Sequence, residues 1–181
     1  MIAALFVRRN THYASLGCDC YDINRDALTW SGGSPVVAHP PCRGWSKLSH
    51  FSKHQPDELY LAEWSIHQAR QWGGVVEHPY ESRLWASVGC LAFGVRDEYG
   101  GILIPIYQSW WGHRAAKKTC IYVVGPVPDL PDYEPPSWLN KVENMGRAER
   151  ERAPKEFAAW LVDLANRSRG YGLSDRVGLA A

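Results

Sequence analysis

The fold is decided by the stretch Ser34-Pro35-Val36-Val37-Ala38-His39-Pro40-Pro41-Cys42 together with Gly73-Gly74-Val75-Val76-Glu77-His78-Pro79. Each contains a short apolar run bounded by glycine or proline, which is typical of a buried strand in a parallel sheet. Between them, apolar residues recur at helical spacing from Leu59 to Ala69, and Asp57 and Gly73 mark a plausible start and stop. A strand, a helix and a second strand in this order predict a right-handed parallel crossover. We therefore expect Cys42 and Glu77 to reach the same edge of one sheet.

The remaining pattern extends this unit in both directions. Further strands are predicted within residues 2–7, 18–23, 102–106 and 119–124, and a helix with an apolar face is predicted after Pro154. The interpretation is a single-domain α/β protein over residues 1–168, with a mostly parallel, Rossmann-like sheet flanked by helices. The glycine-rich segment 169–181 is expected to be a flexible C-terminal tail.

The composition restricts the cellular setting more than the function. Twenty basic and 19 acidic residues leave a formal charge of +1, so no global positive field favours or excludes nucleic acid. The five cysteines are an odd number, and the chain lacks an apolar run of about 18 residues, which predicts reduced thiols, a cytoplasmic location and no membrane association. Of the nine tryptophans, we expect most to be core anchors, with stacking on a base or sugar as the alternative for those beside polar motifs: Trp45, Trp85, Trp110 and Trp111.

Cys42 and Glu77 are the residues most suited to chemistry. The prolines before Cys42 remove two backbone donors and stiffen the loop, so the thiol can be held away from the sheet edge. A nearby Arg43 or histidine would favour the reactive thiolate, whereas an inert buried cysteine is the alternative. Glu77 ends an apolar strand, where a carboxylate is costly to bury unless it is paired or exchanges protons. A salt bridge to an arginine is its structural alternative.

Four segments resemble the DNA cytosine-5 methyltransferase family, and they occur in family order. Residues 35–46 resemble its catalytic Pro-Pro-Cys segment, in which a serine follows the nucleophile by four positions. Residues 75–79 resemble the catalytic Glu-Asn segment, and residues 108–114 resemble a segment that contains Gln and Arg. Residues 153–158 resemble the start of the C-terminal helix that closes the cofactor pocket.

The resemblance implies a methyltransferase-like but truncated fold of the phage type, and a chemistry for the site. Cys42 would add to carbon 6 of cytosine, Glu77 would bind or protonate ring nitrogen N3, and Arg114 would steady the carbonyl oxygen. The activated carbon 5 would then take the methyl group of S-adenosylmethionine. The resemblance also implies substrate-binding residues, which are Pro41, Ser46, His78, Gln108 and His113, and cofactor-binding residues, which are Phe6 and Asp22. The expected substrate is a cytosine in a nucleotide or in accessible nucleic acid.

Two departures from the family pattern favour other functions. The loop at residues 7–10 has no glycine, although a glycine-rich turn holds the methyl donor in the family. This favours a non-catalytic relative that binds a nucleotide or a protein partner. The proline-rich segment between Arg114 and Pro154 leaves no room for a separate target-recognition domain, so a partner protein is expected to supply target recognition.

Histidines suggest a third function. His39, His78 and His113 each lie within or beside a family-like motif, and with Cys42 they could form a zinc or iron site, since nitrogen and sulfur ligands suit both metals. The alternative for each histidine is a hydrogen-bonded residue that holds its loop. Lys117 and Lys118 form a small basic cluster with Arg114, which is expected either to meet phosphate or to be solvated.

Overall fold

The computed structural model describes residues 1–46, 57–90, 92–136, 139–150 and 152–170. Within these residues the chain forms six strands: β1 (Ala3–Leu5), β2 (Asp19–Tyr21), β3 (Val36–Ala38), β4 (Gly74–Pro79), β5 (Gly101–Tyr107) and β6 (Lys118–Val124). The α-helices of the described residues are α1 (His12–Ser15), α2 (Asp57–Trp72), α3 (Leu84–Ser87), α4 (Arg147–Arg150) and α5 (Lys155–Arg167). Residues 171–181, most of the segment predicted to be a flexible tail, lie outside the described residues.

The strands form one mixed sheet in the order β2-β1-β3-β4-β6-β5. Strands β2, β1, β3 and β4 pair in parallel, whereas β6 runs antiparallel to both β4 and β5. The predicted α/β domain with a sheet flanked by helices is confirmed, but the sheet is not parallel throughout. The reason is the connection from β5 to β6, residues 108–117, which is shorter than the dozen or more residues that a parallel crossover requires.

The predicted crossover is formed by β3, α2 and β4. Val36 pairs with Gly74 and Ala38 with Val76, in parallel, and α2 has the predicted limits. Gly74 has a φ of 119°, and a Cβ atom at this position would overlap the carbonyl oxygen of Val36. Glycine is therefore required here, because the backbone of β4 enters the sheet against its neighbour in a conformation that other residues rarely adopt.

Helices cover both faces of the sheet. Ala62, Ile66 and Ala69 of α2 are fully buried on one face, and α5 packs against the other. Burial of each large apolar side chain contributes roughly 1.5–3 kcal/mol to stability. Among the described helices, none combines the length and apolar character needed to cross a membrane.

The strand order reverses between β1 and β3. The chain places β2 on one side of β1 and β3 on the other, so the connections that follow β1 and β3 leave in opposite directions. In open α/β sheets, ligands bind in the crevice at the carboxyl ends of the strands beside such a reversal. The loops after β1, β3 and β4 are therefore the place to look for a site.

Candidate active site

Cys42 lies in the turn that follows β3. Pro40 and Pro41 separate it from the strand, and the carbonyl oxygen of Cys42 accepts a hydrogen bond from the N–H of Trp45 at 3.1 Å, which closes a short 3-10 turn. Cys42 is exposed, whereas the other four cysteines are half-buried or buried: Cys18, Cys20, Cys90 and Cys120. Cys42 is thus the most exposed of the five cysteines.

Glu77 lies on β4, next to β3, and each of its two carboxylate oxygens has a hydrogen-bond partner. The parallel pairing of Ala38 with Val76 brings the next residues of each strand, His39 and Glu77, side by side. The Nδ1 atom of His39 is 3.0 Å from Oε2 of Glu77, and Nε2 of Gln108 donates to Oε1 at 3.0 Å. Residues from β3, β4 and the segment after β5 thus converge at the carboxyl edge of the parallel strands.

The environment of Glu77 keeps its carboxylate ionised. Burial alone would raise the pKa, but the hydrogen bond from His39 and electrostatic interactions with Lys117, His39 and His78 lower it from 4.5 to about 2. At neutral pH, Glu77 is therefore a negatively charged acceptor. Each carboxylate oxygen can accept two hydrogen bonds, so one acceptor position remains on each.

Tyr13 completes a row of hydrogen-bonded groups. Its hydroxyl is 2.6 Å from Nε2 of His39, on the far side of the imidazole from Glu77. Burial and the negative charge of Glu77 raise the pKa of Tyr13 well above 10, so the phenol keeps its proton. With a neutral imidazole, Tyr13 donates to Nε2 of His39, and the Nδ1–H group donates to Glu77. Sequence reasoning missed Tyr13; the available signal was a tyrosine in an amphipathic segment after the first strand, since a buried phenol needs a partner.

His78 supports the turn that carries Cys42. Its Nε2–H group donates to the carbonyl oxygen of Pro41 at 3.4 Å, and its ring meets the edge of Trp85 with the centroids 5.9 Å apart. Burial lowers the pKa of His78 to about 4 despite the opposing charge of Glu77, so the imidazole is neutral. The geometry makes His78 a positioning residue.

Lys117 is the cation that acts on both Cys42 and Glu77. The pKa of Cys42 is raised, first because its sulfur is partly desolvated against the sheet edge and second because Glu77 is negative. Lys117 and Arg43 oppose this effect. The resting thiol is therefore protonated at neutral pH, and Lys117 provides the charge that would stabilise a thiolate. Sequence reasoning noted Lys117 as part of a basic cluster but gave it no place in the site.

The other predicted substrate residues lie at different distances from this centre. Arg114 has a side chain that is 72% exposed, and its guanidinium pairs with Glu149 at 2.7 Å. His113 is buried, and its Nδ1 atom is 3.0 Å from the carbonyl oxygen of Ala115. Ser46 is exposed and donates to the carbonyl oxygen of Arg43 at 3.4 Å. The structure thus brings Cys42, Glu77, Gln108, His78 and Pro41 together, and the described contacts of the other three residues lie elsewhere.

Phe6 and Asp22, the predicted cofactor residues, follow adjacent parallel strands. Leu5 pairs with Tyr21, so the two residues lie side by side at the carboxyl edge. The Oδ1 atom of Asp22 accepts from the backbone N–H groups of Asn24 at 2.9 Å and of Arg25 at 3.3 Å. Among the described contacts, no hydrogen bond uses Oδ2.

The candidate metal ligands His39, Cys42, His78 and His113 do not form a metal-binding cluster among the described residues. Within the described ranges, no group of three or more His, Cys, Asp or Glu side chains could hold a metal ion. His39 contacts Tyr13 and Glu77, while His78 and His113 contact backbone carbonyl groups. These contacts are those of hydrogen-bonded loop residues, the alternative that the sequence left open.

No protein-family model matches this chain, and the curated proteins include no significant match to it.

Proposed function

We propose that this chain is a cytosine-5 methyltransferase-like enzyme that modifies an accessible cytosine through a covalent cysteine adduct. The observation that supports it is the exposed residue Cys42 at the same sheet edge as the ionised carboxylate of Glu77, with Lys117 acting on both. A nucleophile, an acceptor for a protonated ring and a cation are the groups that addition to a pyrimidine requires.

Addition begins when Cys42 loses its proton to solvent, with the thiolate stabilised by Lys117. A bond forms between sulfur and carbon 6, the electrons of the C5–C6 double bond shift toward C4, and those of the C4–N3 double bond take up a proton at N3. Glu77 favours this step because its carboxylate accepts a hydrogen bond from the N3–H group. Carbon 5 of the resulting enamine is nucleophilic.

S-adenosylmethionine, which Phe6 and Asp22 would hold, would supply the methyl group to carbon 5 as its methyl–sulfonium bond breaks, leaving S-adenosylhomocysteine. The N3 proton then returns to solvent and the hydrogen on carbon 5 leaves as a proton. Its electrons restore the C5–C6 double bond, and the bond from carbon 6 to sulfur breaks to release the thiolate of Cys42. Throughout, His39 and Gln108 hold Glu77, and His78 holds the turn before Cys42.

The direct test measures transfer of labelled methyl groups from S-adenosylmethionine to cytosine-containing oligonucleotides and to free cytidine nucleotides. We expect Cys42→Ala to abolish transfer and Cys18→Ala, at a half-buried cysteine on the other side of β1, to retain it. An oligonucleotide that contains 5-fluorocytosine should leave a mass adduct on the Cys42 peptide, because fluorine cannot leave carbon 5 as a cation. Transfer that persists in Cys42→Ala would refute the mechanism.

A second candidate function is a non-catalytic relative that binds a nucleotide. The raised pKa of Cys42 favours it, because a protonated thiol is a poor nucleophile. Calorimetry separates the two functions. Binding of a cytidine nucleotide without binding of S-adenosylmethionine, and without transfer, would support the binding protein over the enzyme.

A further inference from the structure

A row of aromatic rings lies at the same edge of the sheet as the candidate site. We call it the aromatic strip; it consists of Phe93, Tyr80, Lys118, Tyr107, Trp110 and Tyr133. Phe93 is 47% exposed and Tyr133 is 57% exposed, and Lys118 is exposed between them. The rings of Tyr80, Tyr107 and Trp110 are half-buried between these exposed ends.

Each member of the strip contacts the next one along the row. The rings of Phe93 and Tyr80 are stacked at 5.4 Å with planes 17° apart. The Nζ atom of Lys118 lies 4.3 Å from the ring centre of Tyr80 and 5.2 Å from that of Tyr107. Tyr107 meets Trp110 at 5.5 Å, so a cation is placed between two pairs of rings.

Tyr133 extends the strip beyond Trp110. Its ring is 6.3 Å from that of Trp110, and its carbonyl oxygen accepts the indole N–H at 3.1 Å. This hydrogen bond fixes the orientation of Trp110 within the row. The carboxylate of Glu134 accepts the hydroxyl of Tyr107 at 2.6 Å, so the strip is not uniformly basic.

Strand register joins the strip to the site. Tyr107 pairs with Lys118 across β5 and β6, and Pro79, the residue before Tyr80, pairs with Thr119. On each strand the strip residue lies within three positions of a site residue: Tyr80 follows Glu77 by three positions, Tyr107 precedes Gln108, and Lys118 follows Lys117. An odd spacing along a strand turns the two side chains to opposite faces, so the strip and the Glu77 centre share an edge of the sheet rather than a face. A nucleic-acid strand bound along the strip would therefore pass around this edge to reach Cys42 and Glu77.

We propose that the aromatic strip binds single-stranded nucleic acid and delivers an unpaired cytosine to Cys42. Successive bases would stack on the exposed rings, and Lys118 would pair with a phosphate, since aromatic rings and interspersed cations bind single strands with little sequence preference. A duplex hides the faces of its bases and cannot use the rings in this way. The identity of the reacting base rests on the proposed function, whereas binding to the strip does not.

The test is fluorescence anisotropy of a labelled oligodeoxycytidine strand, alone and annealed to its complement, with the Cys42→Ala protein so that no covalent adduct forms. We expect the single strand to bind much more tightly than the duplex. Tyr133→Ala and Phe93→Ala should each weaken binding by about tenfold, as loss of one stacked base predicts. Tyr60→Ala, at a tyrosine of α2 that is 56% exposed and outside the strip, is the matched control and should bind normally.

Several outcomes would overturn the inference. They are an absence of measurable binding, equal binding of the duplex, and strip variants that bind as well as Tyr60→Ala. Failure of this inference is distinct from failure of the proposed function. Methyl transfer to free nucleotides without strand binding would refute only the proposal that the strip binds nucleic acid. Strand binding that depends on Tyr133 and Phe93, without methyl transfer by the wild-type protein, would refute only the proposed enzymatic function.

Discussion

Replacement of His39 by alanine tests whether the buried carboxylate is held in its ionised form. A pKa that falls from 4.5 to about 2 in Glu77 corresponds to roughly 3 kcal/mol of native-state stability at neutral pH. The side chain of Glu77 is only 11% exposed, so solvent screens this energy weakly. Loss of the His39 hydrogen bond leaves the burial penalty in place. Because Lys117 and His78 still lower the pKa of Glu77, we expect it to rise from about 2 toward 4.5 and stability at pH 7 to fall by about 1–3 kcal/mol.

The sign of the pH dependence makes this prediction specific. A carboxylate with a lowered native pKa stabilises the protein above its unfolded pKa, and this stability is lost as the pH falls from about 4.5 toward 2. In His39→Ala, the loss over this range should be smaller. His39→Asn, whose amide nitrogen can take the position of Nδ1, should restore most of the wild-type behaviour.

Two measurements check the result. Carbon NMR of the labelled Glu77 carboxyl gives its pKa in each variant, and urea denaturation between pH 3 and 7 gives stability. His67→Ala, at an exposed histidine of α2, controls for the general effect of removing an imidazole. If the pKa of Glu77 stays near 2 in His39→Ala, the hydrogen bond from His39 is not what lowers it.

Three further predictions concern stability, each measured by urea denaturation. The pKa of His78 is about 4 in the folded protein and near 6.5 in the unfolded chain, so wild-type stability should fall by about 3 kcal/mol from pH 6.5 to 4. His78→Asn should remove this decline. An unchanged decline would contradict the burial of a neutral imidazole. Gly74→Ala should cost roughly 3 kcal/mol or more because the new Cβ overlaps the neighbouring strand, whereas Gly33→Ala, with a φ of 91° and open space around it, should cost only about 1 kcal/mol. Asp97→Asn should cost about 3 kcal/mol, since it leaves the buried guanidinium of Arg70 without its ion pair at 3.0 Å; a neutral result would show that the tyrosines around Arg70 suffice.

Much of the fold could be predicted because it follows from local patterns. The run from Val36 to Ala38, the periodicity of α2 and the run from Val75 define a crossover whose handedness and direction are dictated by chain geometry. The antiparallel direction of β6 was harder to predict from the sequence. It depends on the length of the connection after Tyr107, and an apolar strand carries no sign of the direction in which it runs.

The site was predicted only where it follows from strand ends. That Cys42 and Glu77 share a sheet edge was predictable because each lies toward the carboxyl end of a strand, in a motif that resembles a known family. Tyr13 and Lys117 were missed because neither lies in such a motif. Arg114 was favoured over Lys117 as the cation of the site by its position in the resembling segment, although it pairs with Glu149 in the structure.

The sequence by itself determined the class of fold, the crossover and the two groups at its carboxyl edge, because apolar periodicity, glycine and proline act over a few residues. Only the tertiary structure decided which charges act on those groups. Long-range contacts bring Tyr13, His39, Gln108 and Lys117 around Glu77, and the electrostatic energy of a buried carboxylate depends on distances between residues that are far apart in the chain. The continuity of the aromatic strip likewise depends on the register of β4, β6 and β5, which no single segment encodes.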